Sequence, residues 1–395
     1  MTHAEGKFEN GLLTVYLIGH IDSSNAADTE KEITDIKNEH KDAEIVLDAE
    51  KLEYISSAGL RIILRLRKEY ANLKIVNVAS EIYEVFEMTG FTDMMTVEKA
   101  YRKLSVEGCE VIGQGANGKV YRLDPDTIIK VYLNPDSLPD IQRERELARK
   151  AFVLGIPTAI PYDVVKVGDG YGSVFELLNA KSFAKLVISD PGNIDKYIAL
   201  YVDLLKKIHS TVVKKGDMPD MKKVVVGWAN FLKEYIPEDQ FDKLVKLVND
   251  VPDDDHMMHG DYHLKNVMMQ NDEVLLIDMD TLCVGNPVFE FASIFLAYKG
   301  YSEHNPQILM DFMGLTKEQG DYIWEKTLEL YFGTTDKELL KKMEDKAKVI
   351  GYTRYLRRTI RRYKKDDPEG QIIIKYCKEH LTELLAKVDS LCFDK

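Results

Sequence analysis

The chain has little cysteine: Cys109, Cys283, Cys377 and Cys392 are the only four in 395 residues, and no two form a Cys-x-x-Cys pair. That excludes a disulfide framework and a cysteine-ligated zinc module, and it implies a reducing compartment. No uninterrupted apolar run is long enough to span a bilayer, and the opening residues Met1 to Lys7 have no leader pattern. Positive charge is not in excess either. Lys and Arg number 53 against 66 Asp and Glu, a net charge of −13, which disfavours non-specific nucleic-acid binding. The expectation is a cytoplasmic protein with no membrane or nucleic-acid partner. What is present is an ordinary globular composition, 45% apolar and 30% charged, in a chain too long for one core, so two or three domains are expected.

The densest chemistry lies in His259-Gly260-Asp261-Tyr262-His263-Leu264-Lys265-Asn266, followed by Ile277-Asp278-Met279-Asp280. Phosphoryl transfer from a nucleotide needs a carboxylate to orient or deprotonate the acceptor hydroxyl, and oxygen ligands that hold Mg²⁺ against the phosphates. Asp261 suits the first task; Asn266 and Asp278 suit the second. A short loop can present Asp261 and Asn266 to one cavity. The polar Gln270-Asn271-Asp272 and the apolar Val274 to Ile277 predict a turn and a buried strand that returns Asp278 beside that loop.

These motifs resemble the catalytic and metal-binding loops of the aminoglycoside phosphotransferase and choline kinase group within the protein-kinase-like superfamily. The resemblance implies a catalytic base at Asp261, Mg²⁺ ligands at Asn266 and Asp278, and a further acidic residue at Asp280. It also implies a buttressing role for His259 and anchoring of the loop backbone by Glu290. Upstream, Gly113, Gly115 and Gly118 form a Gly-x-Gly-x-x-Gly between β-prone runs. A dinucleotide fold would need a helix directly afterwards, whereas Lys119 to Leu123, Asp124-Pro125-Asp126 and Thr127 to Tyr132 read as strand, turn and strand. That is the pattern of a phosphate-covering flap. By the same resemblance Lys130 contacts the α- and β-phosphates of ATP, Glu146 orients Lys130, and backbone groups near Glu176 and Leu178 meet the adenine edge.

The first hundred residues alternate strand and helix. Strands are expected at Leu12 to Gly19, bracketed by turns at Gly6 and Gly11, at Glu44 to Asp48, and at Leu73 to Val78; a helix follows Ser57. This part looks like the STAS domain of bacterial anti-sigma-factor antagonists, most specifically over Asp48 to Leu60. In that family the serine two residues before the glycine is phosphorylated, which implies a phosphoacceptor at Ser57; capping of the helix by Ser56 and Ser57 is the alternative. Ser56 stands where family members often carry aspartate.

The fold expected is thus an α/β STAS-like domain over 1–100 plus an α+β bilobal protein-kinase-like phosphotransferase domain, its N-lobe at 101–180 and its helical C-lobe at 181–395. The function expected is ATP- and Mg²⁺-dependent phosphorylation of a small-molecule hydroxyl, with a protein partner reached through the STAS domain. The alternatives are a regulatory serine kinase acting on Ser57 or a partner's serine, and a partner-binding module whose nucleotide site only reports ligand state. No activation segment ending in Ala-Pro-Glu is present, which favours the small-molecule reading. The basic run Tyr352 to Lys365 reads as a solvated helix face whose arginines pair with local carboxylates; recognition of an anionic acceptor or an acidic partner is the alternative.

Overall fold

The computed structural model describes residues 2–9, 11–40, 43–115, 118–159 and 161–393. The chain forms two compact units, Met1–Ser105 with Val165–Gly168, and Val106–Val164 with Asp169–Lys395.

The first unit is a five-stranded sheet in chain order: β1 (Ala4–Glu9), β2 (Leu12–Ile21), β3 (Glu44–Ile55), β4 (Lys74–Val78) and β5 (Thr96–Lys99). β1 runs antiparallel to β2, and the remaining pairs are parallel. Helices α1 (Ala26–Glu39), α2 (Ser57–Glu69), α3 (Ser80–Met88) and α4 (Phe91–Met94) supply the crossovers. The period of two places Leu13, Val15 and Leu17 of β2 in the core with Leu47, Ile75 and Phe86. On α2, helical spacing buries Leu60, Ile63 and Leu66. Gly6 marks no turn. It lies within β1, paired with Val15, because β1 is laid antiparallel on β2 as an edge strand. Ser56 alone caps α2, its Oγ accepting the Ala58 N–H at 3.2 Å, and Ser57 is the exposed first residue of the helix.

The second unit opens with another five-stranded sheet. Its strands are β6 (Val111–Gln114), β7 (Gly118–Arg122), β8 (Thr127–Tyr132), β9 (Pro161–Val167, whose last three residues are grouped with the first unit) and β10 (Gly170–Glu176), in the order β6-β7-β8-β10-β9. Helix α5 (Leu138–Val153) lies between β8 and β9 in the chain, with Pro139 in its first turn. After the short β11 (Lys181–Ser182) come α6 (Phe183–Ser189), α7 (Ile194–Ser210), α8 (Met221–Phe231) and α9 (Glu238–Asn249). The small strands β12 (Met257–Met258), β13 (Val267–Gln270), β14 (Glu273–Leu276) and β15 (Cys283–Val284) frame the motif-bearing loops. Helices α10 (Pro287–Phe295), α11 (Gln307–Met313), α12 (Lys317–Phe332), α13 (Lys337–Arg362) and α14 (Pro368–Lys387) complete it. Their core is aromatic: Phe291, Phe295, Trp324 and Tyr352 are fully buried and meet edge-on. No helix among the described residues is long and apolar enough to cross a membrane.

The units have separate cores, and both tryptophans, Trp228 and Trp324, belong to the second. Leu47→Ala, which empties a fully buried site in β3, should therefore cost about 2–5 kcal/mol in the first unit alone. Far-ultraviolet dichroism should record an earlier first transition while the tryptophan fluorescence midpoint stays in place; a coincident shift of both signals would show that the units unfold as one.

Candidate active site

The glycine-rich flap is a hairpin end. Gly113 lies in β6, the Gly115 N–H donates to the Gly118 carbonyl at 2.9 Å, and Gly118 opens β7 opposite Tyr132. Its Ala116 and Asn117 lie outside the described residues. A Cβ on Gly118 would collide with the Val131 carbonyl oxygen, so only glycine lets β7 and β8 approach here.

Lys130 on β8 lies between two carboxylates. Its Nζ is 3.0 Å from Glu144 Oε1 and 3.1 Å from Asp278 Oδ1. This corrects the expectation of Glu146. Glu146 is exposed and pairs with Lys150 at 2.7 Å, one helical turn on. Helix geometry decides the choice. Glu144 shares the buried face of α5 with Ile141, Leu147, Ala148 and Ala151, and Glu146 points some 200° away. That face was readable from the apolar spacing. The Tyr132 hydroxyl also donates to Glu144. Despite burial, which opposes it, the two carboxylates hold the Lys130 ammonium above its usual range.

The loop carrying Asp261 is built from a buried carboxylate upward. Glu290 on α10 is fully buried. It accepts the His259 N–H at 2.5 Å and the Gly260 N–H at 3.0 Å, and His209 Nε2 lies 3.7 Å away. Burial pushes Glu290 up, but His209, His259 and the Gly260 N–H outweigh it and bring the carboxyl below its usual range. The buried His259 ring has one consistent tautomer. Nε2–H donates to the Ile277 carbonyl at 3.1 Å, and Nδ1 accepts the Asp261 N–H at 3.3 Å. His259 thus ties the Asp261 loop to the residue before Asp278.

Asn266 completes the link. The Ile277 N–H donates to its carbonyl at 2.9 Å, and its Nδ2 donates to the Asp261 carbonyl at 3.0 Å, a bond that does not use the side-chain oxygen. Asp278 adopts a left-handed conformation (φ 65°), rare for a side-chain-bearing residue, which turns its carboxylate from the strand direction toward Lys130. Asp261 is half-buried, with His263 Nε2 3.5 Å from Oδ2. Burial alone would raise it; His263, Arg354 and His259 prevail and hold it at about 2. For Asp280 burial and the neighbouring Asp278 and Glu144 prevail over Lys130 and push it up to about 7. The cleft therefore holds more carboxylate than it can keep ionised without added positive charge. Among the described residues no three His, Cys, Asp or Glu side chains form a ready-made cage.

Lys265 extends over the Phe312 ring at 4.7 Å. β10 ends at Glu176, where the Leu177 N–H donates to the Asp126 carbonyl at 2.7 Å, and Leu178 is half-buried in the stretch that follows. Arg354 and Ser293 are additions to the sequence reading. Arg354 Nη1 donates to Ser293 Oγ at 3.0 Å and to the Gly260 carbonyl at 3.4 Å, and Ser293 Oγ donates to the same carbonyl at 3.1 Å. No local sequence signal marks either contact.

A two-lobed unit in which a strand lysine, a helix glutamate and a left-handed aspartate meet beside a His-Gly-Asp loop is a kinase-like phosphotransferase. The chain belongs to the phosphotransferase enzyme family, whose model matches residues 108–315, and a STAS domain precedes it at residues 3–104. The first unit is similar to BtrV of Bordetella bronchiseptica, named as an anti-sigma factor antagonist, with 35% identity over 92 residues that span 22% of this chain and 78% of that protein. Among solved structures, an ADP-bound aminoglycoside phosphotransferase, APH(2'')-Ib, aligns with 16% identity and a TM-score of 0.48, covering 76% of this chain and 98% of its own. A choline/ethanolamine kinase family protein from Mesorhizobium loti aligns with 14% identity and a TM-score of 0.45, covering 71% and 92%.

Gly260 combines φ +83° with a would-be Cβ 2.5 Å from the Thr281 carbonyl oxygen. Gly260→Ala should cost the second unit about 1–3 kcal/mol, read as a lower denaturant midpoint by tryptophan fluorescence. An unchanged midpoint would mean that the loop reshapes freely.

Proposed function

We propose that this chain transfers the γ-phosphoryl group of ATP to a hydroxyl of a small molecule, with a STAS domain that serves regulation or docking. The observation that carries the reading is the Lys130–Glu144–Asp278 cluster tied through Ile277 to the loop of Asp261. In this reading Lys130, fixed by Glu144, steadies the α- and β-phosphates under the Gly113, Gly115 and Gly118 flap. The backbone near Glu176 and Leu178 borders the adenine. Asn266 and Asp278 hold Mg²⁺ through oxygen, as two or three protein ligands shared with phosphates suffice for that ion, and the carboxylate excess of the cleft fits an added cation. Mg²⁺, when bound, neutralises charge on the phosphates.

Asp261 aligns the acceptor hydroxyl. A carboxylate held at about 2 is too weak a base to strip an alcohol beforehand. It orients the O–H and accepts the proton as the new P–O bond forms and the bond to ADP breaks, the order expected for a loose transition state. His259 and Glu290 act through position: they set the loop and do not touch substrate. Ser57, exposed beside the capping Ser56, is the residue we propose as phosphoacceptor in a regulatory role; intact-mass measurement after incubation with Mg·ATP and a Ser57→Ala control tests it, and equal phosphate on both proteins would discard it.

The test is turnover of the full chain with Mg·ATP against a panel of hydroxyl compounds. Asp261→Asn should lose about 10²–10⁴-fold in phosphoryl transfer. Glu144→Gln should lose about 10²-fold, as a misplaced positioning group does, while Glu146→Gln stays within about twofold, as for exposed surface changes. Transfer that survives Asp261→Asn, or a Glu146→Gln loss equal to that of Glu144→Gln, would sink the assignment.

A further inference from the structure

The arginines of the C-terminal half of α13 are expected on a solvated face and paired with carboxylates; Arg358, Arg361 and Arg362 are exposed, but among the described residues the pairing is absent and the opposite side of the helix is core. Tyr352, Thr353, Tyr355, Leu356 and Thr359 are buried. Among the described residues none of Arg354, Arg357, Arg358, Arg361 and Arg362 forms an ion pair with a carboxylate; aromatic groups hold four of the five guanidinium groups instead. Arg354 lies over Trp228 at 5.4 Å and Arg357 over Phe231 at 5.6 Å, both rings on α8. Arg358 donates to the Tyr301 hydroxyl at 2.8 Å and lies 5.5 Å from its ring, and Arg362 lies over Tyr363. Aromatic faces orient a guanidinium without neutralising it. The charge therefore stays available, in a chain whose net charge is −13.

Its position matters more than its amount. Arg354 touches the Gly260 carbonyl, one residue before Asp261. Arg358 is four residues on, so it follows on the same side of α13, about 5–6 Å further along, and it is exposed. Asp261 and Arg358 lie within electrostatic reach, the Tyr301 contact and Asp261 both favouring the charged guanidinium against burial. Arg357 is held below its usual range, first by burial and then by repulsion from Arg361. Such crowding of like charge is relieved by an anion. A cationic acceptor approaching Asp261 from this side would meet the same charges as repulsion.

We propose that the acceptor phosphorylated at Asp261 is an anionic hydroxyl compound, one carrying a phosphate or carboxylate, and that Arg358 and Arg361 hold its oxyanion. The inference rests on the phosphotransfer reading above and names its substrate class. The guanidinium fork matches either oxyanion in bidentate fashion. Trp228 and Tyr301 orient the arginine wall, and Arg354 positions the loop rather than the ligand.

The full chain, saturated with Mg²⁺ and a non-hydrolysable ATP analogue, is titrated by calorimetry with four probes: glycerol phosphate, glycerate, glycerol and choline. At least one of the two anions should bind about tenfold or more tightly than glycerol or choline. Which anion prevails separates a phosphate from a carboxylate source. Arg358→Ala and Arg361→Ala should each weaken that anion about tenfold or more, with Arg358→Lys in between because a point charge replaces the fork. Choline or glycerol binding as well as the anions, neither anion binding, or Arg358→Ala binding like the parent chain would overturn the inference. Labelled ATP in parallel samples separates the two readings. Transfer to choline would keep phosphotransfer and discard the anionic acceptor. Anion binding that Arg358→Ala abolishes, without transfer to any probe, would keep the oxyanion site and count against phosphotransfer.

Discussion

The loop that carries Asp261 hangs on one buried carboxylate. An ionised group removed from water costs several kcal/mol unless its oxygens are satisfied. Glu290 meets that condition with two backbone N–H groups of the Asp261 loop, and the His209 ring lies 3.7 Å away. The loop cannot drift without exposing that charge to apolar surroundings, because Val288, Phe289 and Phe291 beside Glu290 are buried too. From this anchor the contacts run outward in order. His259 fixes the Ile277 carbonyl, Ile277 fixes Asn266, and Asp278 follows directly with its carboxylate on Lys130. Core packing is thereby converted into side-chain position at the cleft.

The cleft and the neighbouring helix carry opposite imbalances. Around Lys130, the carboxylates of Glu144, Asp278 and Asp280 exceed the cations, and Asp280 is forced up to about 7. Along α13 the arginines exceed the anions, and aromatic rings take the place of carboxylates. Unbalanced charge costs stability wherever it is partly desolvated. The first imbalance fits the cation, and the second the anionic acceptor, that are proposed above. Asp278 adds a conformational cost by its left-handed backbone, and that turn is what brings its carboxylate to Lys130 rather than along the strand.

Much of this was legible in advance because the signals are local. His259, Asp261, Asn266 and Asp278 lie within 20 residues, and the polar Gln270-Asn271-Asp272 before the apolar Val274 to Ile277 foretells the turn and strand of the β13–β14 hairpin, which pairs Val267 with Leu276. The order of strands and helices in the first hundred residues gives the α/β class by the same means. Glu144 lies on the apolar face of α5 by spacing alone, and that place outweighs the resemblance that favours Glu146. The short edge strands β1 and β5 left little pattern, since one is exposed along most of its length and the other spans only four residues.

The sequence by itself determined which residue types stand at motif spacing, and hence the two-domain plan, the hairpin flap and the loop that bears Asp261, because turns, periodicities and short loops depend on neighbours in the chain. Only the tertiary structure decided which carboxylate meets Lys130 and that His209 and Glu290, 81 positions apart, share a buried site. It also decided that four of the five arginines in the second half of α13 meet aromatic rings and that Arg354 meets the Gly260 carbonyl. Those partners come from segments far apart in the chain, and their pairing is set by how helices pack, which no local pattern encodes.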